Sequence, residues 1–275
     1  LTTNGRLGLH DRYGGYALVT GGARGIGRAF AEHLAAEGFD LLLVDREEEE
    51  TLALAEELHA SHGIDAQAIV CDLSENGLAE KAAEWAKKYD IGLLINNAGI
   101  SPMDPFFDIS LEAHLTTLDL NCRATLILTH TIGRDMTTRG RGAVIIVSSA
   151  SAISGAPYFT HYTATKGYGL NLGASLWSEL RGSGVDVLAV CPGLTNTAPI
   201  KELGLDQGVP FFIPRNDPEL VARGALRALG RQPVVVPTFA DRLMTSVMSR
   251  LLPRSWTLSL VRRSMKQLRG SKKTP

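Results

Sequence analysis

Three stretches of this chain hold residues whose types and spacing could do chemistry. The first is Thr20-Gly21-Gly22-Ala23-Arg24-Gly25-Ile26-Gly27, which follows the apolar run YALVT and opens a helix-like stretch. Glycines there permit a tight turn and let a pyrophosphate come close to backbone N–H groups, and the helix N-terminus adds a favourable dipole. A plain strand–helix turn would also use glycine, but the strand before and the helix after favour the phosphate reading. The second is Asp45, eighteen residues beyond Gly27 at the end of DLLLVD. A carboxylate there accepts hydrogen bonds from adenosine ribose hydroxyls and repels a 2′-phosphate, so NAD is favoured over NADP. It would equally serve as the N-cap of the next helix. Arg46 beside it and Arg24 inside the glycine loop are the groups able to meet a 2′-phosphate. The third is Tyr162 with Lys166 four residues on, a pairing that no other tyrosine has. On a helix these positions share a face, so phenol and ammonium lie side by side. Alone, the pair reads as an exposed helix face.

Smaller signals sit at the ends of other apolar runs. Asp72-Leu73 follows AQAIVC and is placed to contact an adenine, although Asp72 is as good a turn-starter. Asn96-Asn97-Ala98-Gly99 follows IGLLI, its small residues allowing a cofactor close to the backbone, with Asn97 able instead to brace neighbouring strands. Ser148-Ser149 comes thirteen residues before Tyr162, counted from Ser149.

The elements that must position these residues are legible as an alternation. Short β-rich apolar runs occupy 16–20, 40–45, 66–71, 91–96, 143–148, 185–190 and 233–237. Helix-like stretches fill 25–37, 47–61, 75–89, 110–138, 160–182 and 217–230. Strand and helix repeated this way predict an α/β fold: a doubly wound parallel sheet of the Rossmann type, about seven strands, with helices on both faces. The strands are apolar without alternation, as expected when both faces are buried. Ligands in such sheets bind at the carboxyl ends of the strands, where the residues above fall.

Composition narrows the class. The 275 residues carry 28 basic and 29 acidic side chains, a net charge of −1, with 44% hydrophobic residues, which argues against wholesale disorder. Cys71, Cys122 and Cys191 are odd in number and far apart, which excludes a disulfide scaffold and points to a reducing, cytoplasmic compartment. No metal-ligand spacing appears, and no apolar run approaches the ~18 residues of a membrane span. The opening LTTNGRLGLHDR lacks a signal-peptide hydrophobic region and a Met, as a processed or trimmed start would. Charge is uneven: residues 239–275 carry nine basic residues and only Asp241 as acid, +8, leaving −9 elsewhere.

The ordered set Thr20-Gly21-x3-Gly25-x-Gly27, Asn96-Asn97-Ala98-Gly99, Asn121, Ser149, Tyr162-x3-Lys166 and Pro192-Gly193 resembles the short-chain dehydrogenase/reductase family over about residues 14–238. DIGLLINNAG and AFAEHLAAEG look similar to its hydroxysteroid dehydrogenase and long-chain 3-oxoacyl reductase branch, from which Asp45 departs, since that branch has a small residue followed by Arg and uses NADP. The resemblance implies hydride transfer between a nicotinamide and a carbonyl or carbinol carbon. Tyr162 would move the proton, with Lys166 bringing its phenol near working pH and holding the nicotinamide ribose. Ser149 would donate to the substrate oxygen, and Asn121 would hold a water linking Lys166 to solvent. Pro192, Gly193, Thr195 and Thr197 would run beside the nicotinamide. Segment 198–216, with Leu203, Leu205, Val209, Phe211-Phe212 and Ile213, resembles the family's mobile substrate lid and predicts a hydrophobic substrate. His161 and His114 are assigned structural or substrate-lining roles.

The expected protein is therefore an NAD(P)-dependent enzyme, a short-chain alcohol dehydrogenase/ketoreductase. Residues 1–238 form the catalytic domain and 239–275 a basic amphipathic helical extension. The substrate is a steroid, long acyl chain or aromatic, with alcohol oxidation slightly favoured. By resemblance, helices 110–138 and 160–182 pair subunits into a homodimer or homotetramer. The extension has three readings: structural capping, contact with an anionic membrane, or recognition of an anionic substrate carrier. Nucleic acid is excluded by sparse aromatics and the lack of a recognition motif. The rival reading is a catalytically silent NAD(P)-binding regulator or scaffold, which would not need the complete Asn121, Ser149, Tyr162 and Lys166 set.

Overall fold

The computed structural model describes residues 8–197 and 214–271. A short helix α1 (Leu9–Tyr13) precedes β1 (Tyr16–Thr20), α2 (Gly25–Ala36), β2 (Asp40–Asp45), α3 (Glu48–His62), β3 (Ala66–Val70), α4 (Leu78–Lys88) and β4 (Ile91–Asn96). Helix α5 (Leu111–Leu118) continues through a π-helical turn (Asp119–Ala124) into α6 (Thr125–Arg139). Then come β5 (Gly142–Val147), the one-turn α7 (Ser151–Ser154), α8 (Thr160–Glu179), β6 (Val185–Val190), α9 (Pro218–Ala228) and β7 (Val234–Val235). The extension forms α10 (Phe239–Ser246), a second π-helical turn (Val247–Leu251) and α11 (Arg254–Ser271).

The seven strands make one parallel sheet in the order β3-β2-β1-β4-β5-β6-β7. The chain reverses direction across the sheet between β1 and β4, which opens a crevice at their carboxyl ends. Successive residues of one strand serve opposite cores. Ala17 and Val19 of β1, Leu41 and Leu43 of β2, and Leu93 and Ile95 of β4 pack with α2 and α9 on one face. Leu18, Leu42, Val44 and Leu94 pack with Trp85, Leu128, Ile132 and Met136 on the other. This two-sided burial is why the strands read as continuous apolar runs.

Two elements differ from the sequence expectation. Strand β7 keeps only two residues of PVVVP, because Pro233 and Pro237 flank it at a sheet edge and lack the N–H a longer ladder needs. The stretch 110–138 is interrupted by the π-helical turn, whose wider winding carries Asn121 and Cys122 into the interior. Such turns commonly mark functional sites.

Candidate active site

A cavity of about 1090 Å³ lies over the carboxyl ends of the strands. One end is the glycine loop. Gly21 and Gly25 adopt φ of +63° and +56°, a conformation that disfavours side chains. A Cβ on Gly21 would come within 2.9 Å of the Asn97 amide, and one on Gly27 would overlap the Gly21 carbonyl. Helix α2 starts at Gly25 without a side-chain cap, so its first N–H groups are left to an anion. A cradle closed by any Cβ and edged with bare backbone donors fits a dinucleotide pyrophosphate. Gly21, Arg24, Gly25 and Ile26 line the cavity, whereas Gly27 only closes the turn behind it.

Asp45 lines the same end. Its Oδ2 accepts from Ala23 N at 3.1 Å, and its Oδ1 accepts from Arg46 N at 2.8 Å and Glu47 N at 3.3 Å. The carboxylate thus ties the glycine loop to the end of β2. The two arginines that could meet a 2′-phosphate already face acids: Arg24 pairs with Glu50 and Glu47, and Arg46 with Glu47. Asp72 and Leu73 also line the cavity, and Asp72 starts a turn by accepting from the Ser74 N–H at 2.8 Å and its hydroxyl at 2.6 Å. Both readings of Asp72 are therefore compatible with its position. Asn97, Ala98 and Gly99 line the middle. The Asn97 side chain spends its amide on the Thr20 and Gly21 carbonyls, so it braces β4 against β1 as well.

The other end holds Ser149, Tyr162 and Lys166. Lys166 is buried and donates to the Val147 carbonyl at 2.9 Å, and its Nζ stands 5.8 Å from the centre of the Tyr162 ring. Ser149 Oγ is 2.9 Å from Ser151 Oγ and in hydrogen-bonding contact with Tyr162. Burial pushes the Tyr162 phenol up, only partly offset by Ser149, and pushes Lys166 down to about 8. In the cofactor-free protein desolvation dominates the phenol, and the Lys166 ammonium donates to the Val147 carbonyl.

Asn121 stands behind this end rather than in it. Its Oδ1 accepts from Ile100 N, and its Nδ2 donates to Ile100 O and Thr165 Oγ1, all at 2.9–3.0 Å. A Cβ on Gly99 would lie 3.0 Å from Asn121 Oδ1 and 3.1 Å from Lys166 Nζ, so the glycine keeps the three in register. The two histidines face each other and neither lines the cavity: their Nδ1 atoms meet at 2.8 Å, and His114 Nε2 contacts the Phe106 carbonyl at 3.0 Å. Pro192, Gly193, Thr195 and Thr197 line the cavity beyond β6. Of the stretch with lid-like apolar residues, 198–213 lies outside the described residues.

Sequence reasoning missed the roof. Met244, Thr245 and Met248 from α10 and its π-helical turn, and Leu260, Val261, Arg263, Ser264 and Met265 from α11, complete the cavity. Asp241 joins roof to floor. It is fully buried, and its Oδ2 accepts from Gly193 N at 3.3 Å, Asn216 Nδ2 at 2.5 Å and Thr238 Oγ1 at 2.8 Å. A Cβ on Gly193 would overlap this carboxylate, so that glycine serves the clasp as well as the cavity. The available signal was the spacing Met244/Met248 and Val261/Met265, which puts each pair on one helix face.

Comparison with known proteins follows the same lines. A family model for short chain dehydrogenase matches residues 15–208. A very-long-chain 3-oxoacyl-CoA reductase-like protein of Arabidopsis thaliana is 32% identical over 257 residues, 90% of this chain and 82% of the relative. A solved 7beta-hydroxysteroid dehydrogenase superimposes with a TM-score of 0.84 at 26% identity, covering 93% of this chain and 99% of that one. A short-chain dehydrogenase from Sphingobium yanoikuyae, solved in complex with NADPH, gives 0.77 at 29% identity over 86% of this chain and 93% of its own.

Proposed function

The chain belongs to the short-chain dehydrogenase family and is an NAD(P)-dependent oxidoreductase of alcohol and ketone groups, and from that premise we propose that Tyr162, Lys166 and Ser149 interconvert a secondary alcohol and a ketone on a hydrophobic substrate. The observation that carries this reading is convergence: the three side chains meet at one end of the cavity whose other end is the glycine cradle and Asp45.

The nicotinamide cofactor, when bound, supplies the hydride chemistry. Gly21, Gly25 and Ile26 would hold its pyrophosphate, and Asp45 its adenosine ribose. Asp72 and Leu73 would face the adenine. Asn97, Ala98, Gly99, Pro192, Gly193, Thr195 and Thr197 would flank the nicotinamide, with Lys166 at its ribose. The acid–base work falls to the chain. With its pKa raised, Tyr162 keeps its proton at neutral pH, which is the form that gives a proton to a ketone oxygen. Lys166, at about 8, is cationic there and stabilises the phenolate left behind. Ser149 Oγ would donate to the oxygen where charge develops.

Several features support the finer assignments. Ile100, Leu120, Phe159, Met248, Val261 and Met265 give the cavity an apolar lining suited to a steroid, long acyl or aromatic group. Asp45, with Arg24 and Arg46 engaged by acids, favours NAD over NADP. Exposed Leu111, Leu115 and Leu118 on α5 and Leu126 on α6 suit a subunit contact, hence a homodimer or homotetramer. The three cysteines are buried and free, in keeping with a cytoplasmic setting.

One experiment tests the core of this. Tyr162→Phe should cut ketone reduction by at least roughly 10²–10⁴-fold, the range of a positioned proton donor, while binding NAD as the unaltered protein does and more tightly than NADP. Turnover within a few-fold of the unaltered protein would reject the assignment.

A further inference from the structure

The extension has two faces with different partners. Its inner face holds buried Asp241, Thr245 and Thr257 and lines the cavity through Met244 and Met248. Its outer face leaves Phe239 (76%), Leu243 (57%), Val247 (36%) and Leu251 (74%) exposed, and α11 adds Trp256 (65%) and Leu260 (49%). The first four recur every four residues, so they form one apolar row along α10 and its π-helical turn. Large side chains left bare on one face, Phe239 and Trp256 among them, mark an interaction surface rather than ordinary scatter.

The charges around this row have one sign. Arg242, Arg254, Arg262, Arg263 and Lys266 are exposed, and among the described residues none forms an ion pair. On the rest of the protein Arg24, Arg28, Arg46, Arg123, Arg139 and Arg141 each face an acid, while exposed Arg134, Arg181 and Arg227 form no ion pair among the described residues; what sets the extension apart is the lack of any exposed acid among its described residues. The only acid of the extension, Asp241, points inward. A basic surface with a central apolar row is complementary to anionic headgroups over an acyl layer. No helix among the described residues is long and apolar enough to cross a membrane, so such a surface would lie on a bilayer. Leu260 and Arg263 belong to both surfaces: they are exposed, and they line the cavity.

We propose that the outer face of α10, its π-helical turn and α11 docks on an anionic lipid bilayer and turns the cavity mouth at Leu260 and Arg263 toward the lipid. The second half of this statement rests on the hydrophobic-substrate reading above. The docking itself does not.

The test uses the full chain with vesicles of phosphatidylglycerol and phosphatidylcholine, and with phosphatidylcholine alone. Co-sedimentation should be at least about ten-fold greater on the anionic vesicles and should fall at high salt. The triple variant Phe239→Ser, Leu251→Ser, Trp256→Ser should lose at least about ten-fold of that binding while reducing a water-soluble ketone at the unaltered rate. If that variant misfolds by circular dichroism, Arg242→Glu with Arg254→Glu and Arg262→Glu replaces it, with the same loss expected. Tyr162→Phe should sediment as the unaltered protein does, which separates failure of docking from failure of the catalytic reading. Equal binding to both vesicle types, or undiminished binding by the folded variants, overturns the proposal. So does a triple variant that lowers the oligomeric state when the unaltered protein ignores vesicles, because the row would then be covered by a second copy of the chain.

Discussion

The floor of the cavity and its roof are held in different ways. On the floor, where β1, β4, β5 and β6 end, directional hydrogen bonds to a neighbouring strand or helix hold many of the side chains: Asn97 to Thr20 and Gly21, Asn121 to Ile100 and Thr165, Lys166 to Val147, Ser148 to the Lys166 carbonyl. On the roof, methionines and aliphatic residues of α10 and α11 face the same space with no such tethers, and one carboxylate, Asp241, fastens the roof to the Gly193 turn. On the reading proposed above, Lys166 beside the proton donor Tyr162 must be held to a fraction of an ångström, and its support is directional. A wall that selects for size and apolarity can be made of flexible thioethers. The contrast predicts that floor changes alter chemistry and stability sharply and roof changes alter selectivity mildly.

The largest effect should come from Lys166. Its pKa of about 8 against an ordinary 10.5 means the folded protein gives up that proton more readily than the unfolded chain. Between these values the unfolded state binds more protons, so stability of the cofactor-free protein rises as pH climbs through this window, and the cost of keeping the charge is fully present below about 8. That cost is about 3 kcal/mol, of which a lost hydrogen bond to the Val147 carbonyl would give back about 1. Lys166→Met should therefore raise Tm at pH 7 by several degrees while ketone reduction falls by roughly 10²-fold or more. In the unaltered protein, reduction should decline above about pH 8 as the ammonium is lost, while the thermal midpoint moves the other way. A Lys166→Met protein that melts well below the unaltered one would show that the floor is held by this lysine rather than strained by it.

The same contrast explains what could be read in advance. Strands, glycine loop and Tyr162-x3-Lys166 are local patterns: each depends on residues within a few positions and on burial of both sheet faces, so the linear chain exposes them. The wider turn at Asp119–Ala124 was invisible because leucine and threonine spacing on either side continues an ordinary helix, and the bonds from Asn121 to Ile100 and Thr165 that accompany the extra winding span distant parts of the chain. The roof was invisible for a related reason. Met244, Met248, Val261 and Met265 showed an apolar stripe, but what a stripe covers is set by long-range packing. Asp241 stood out only as the single acid of the basic extension; its bonds to Gly193 and Asn216, 48 and 25 residues away, were not legible in the linear chain.

Asp241 is where the two regions meet, and its removal should cost less than the floor chemistry but more than any single roof contact. Asp241→Ala leaves the Gly193 N–H, the Asn216 amide and the Thr238 hydroxyl without their shared acceptor in a dry site. The expected loss is about 3 kcal/mol, or roughly 5–10 °C in Tm. Asp241→Asn can place its carbonyl oxygen where Oδ2 stands and should recover most of that loss. Equal melting of the Ala variant and the unaltered protein would detach the roof from the Gly193 turn.

The smallest effect belongs to the methionines. Met248→Ala and Met265→Ala remove apolar wall from a lining that has no hydrogen bond to break, and neither touches Ser149, Tyr162 or Lys166 as a partner. For a bulky apolar ketone the lost contact is worth about 1 kcal/mol, so KM should rise roughly five-fold with kcat nearly constant, the signature of binding lost equally from ground and transition states. A small ketone that never reaches the roof should show no change in either constant. If kcat fell for both substrates, the roof would be positioning the reacting groups, and the division between a directional floor and a permissive roof would fail at the point where it is most easily measured.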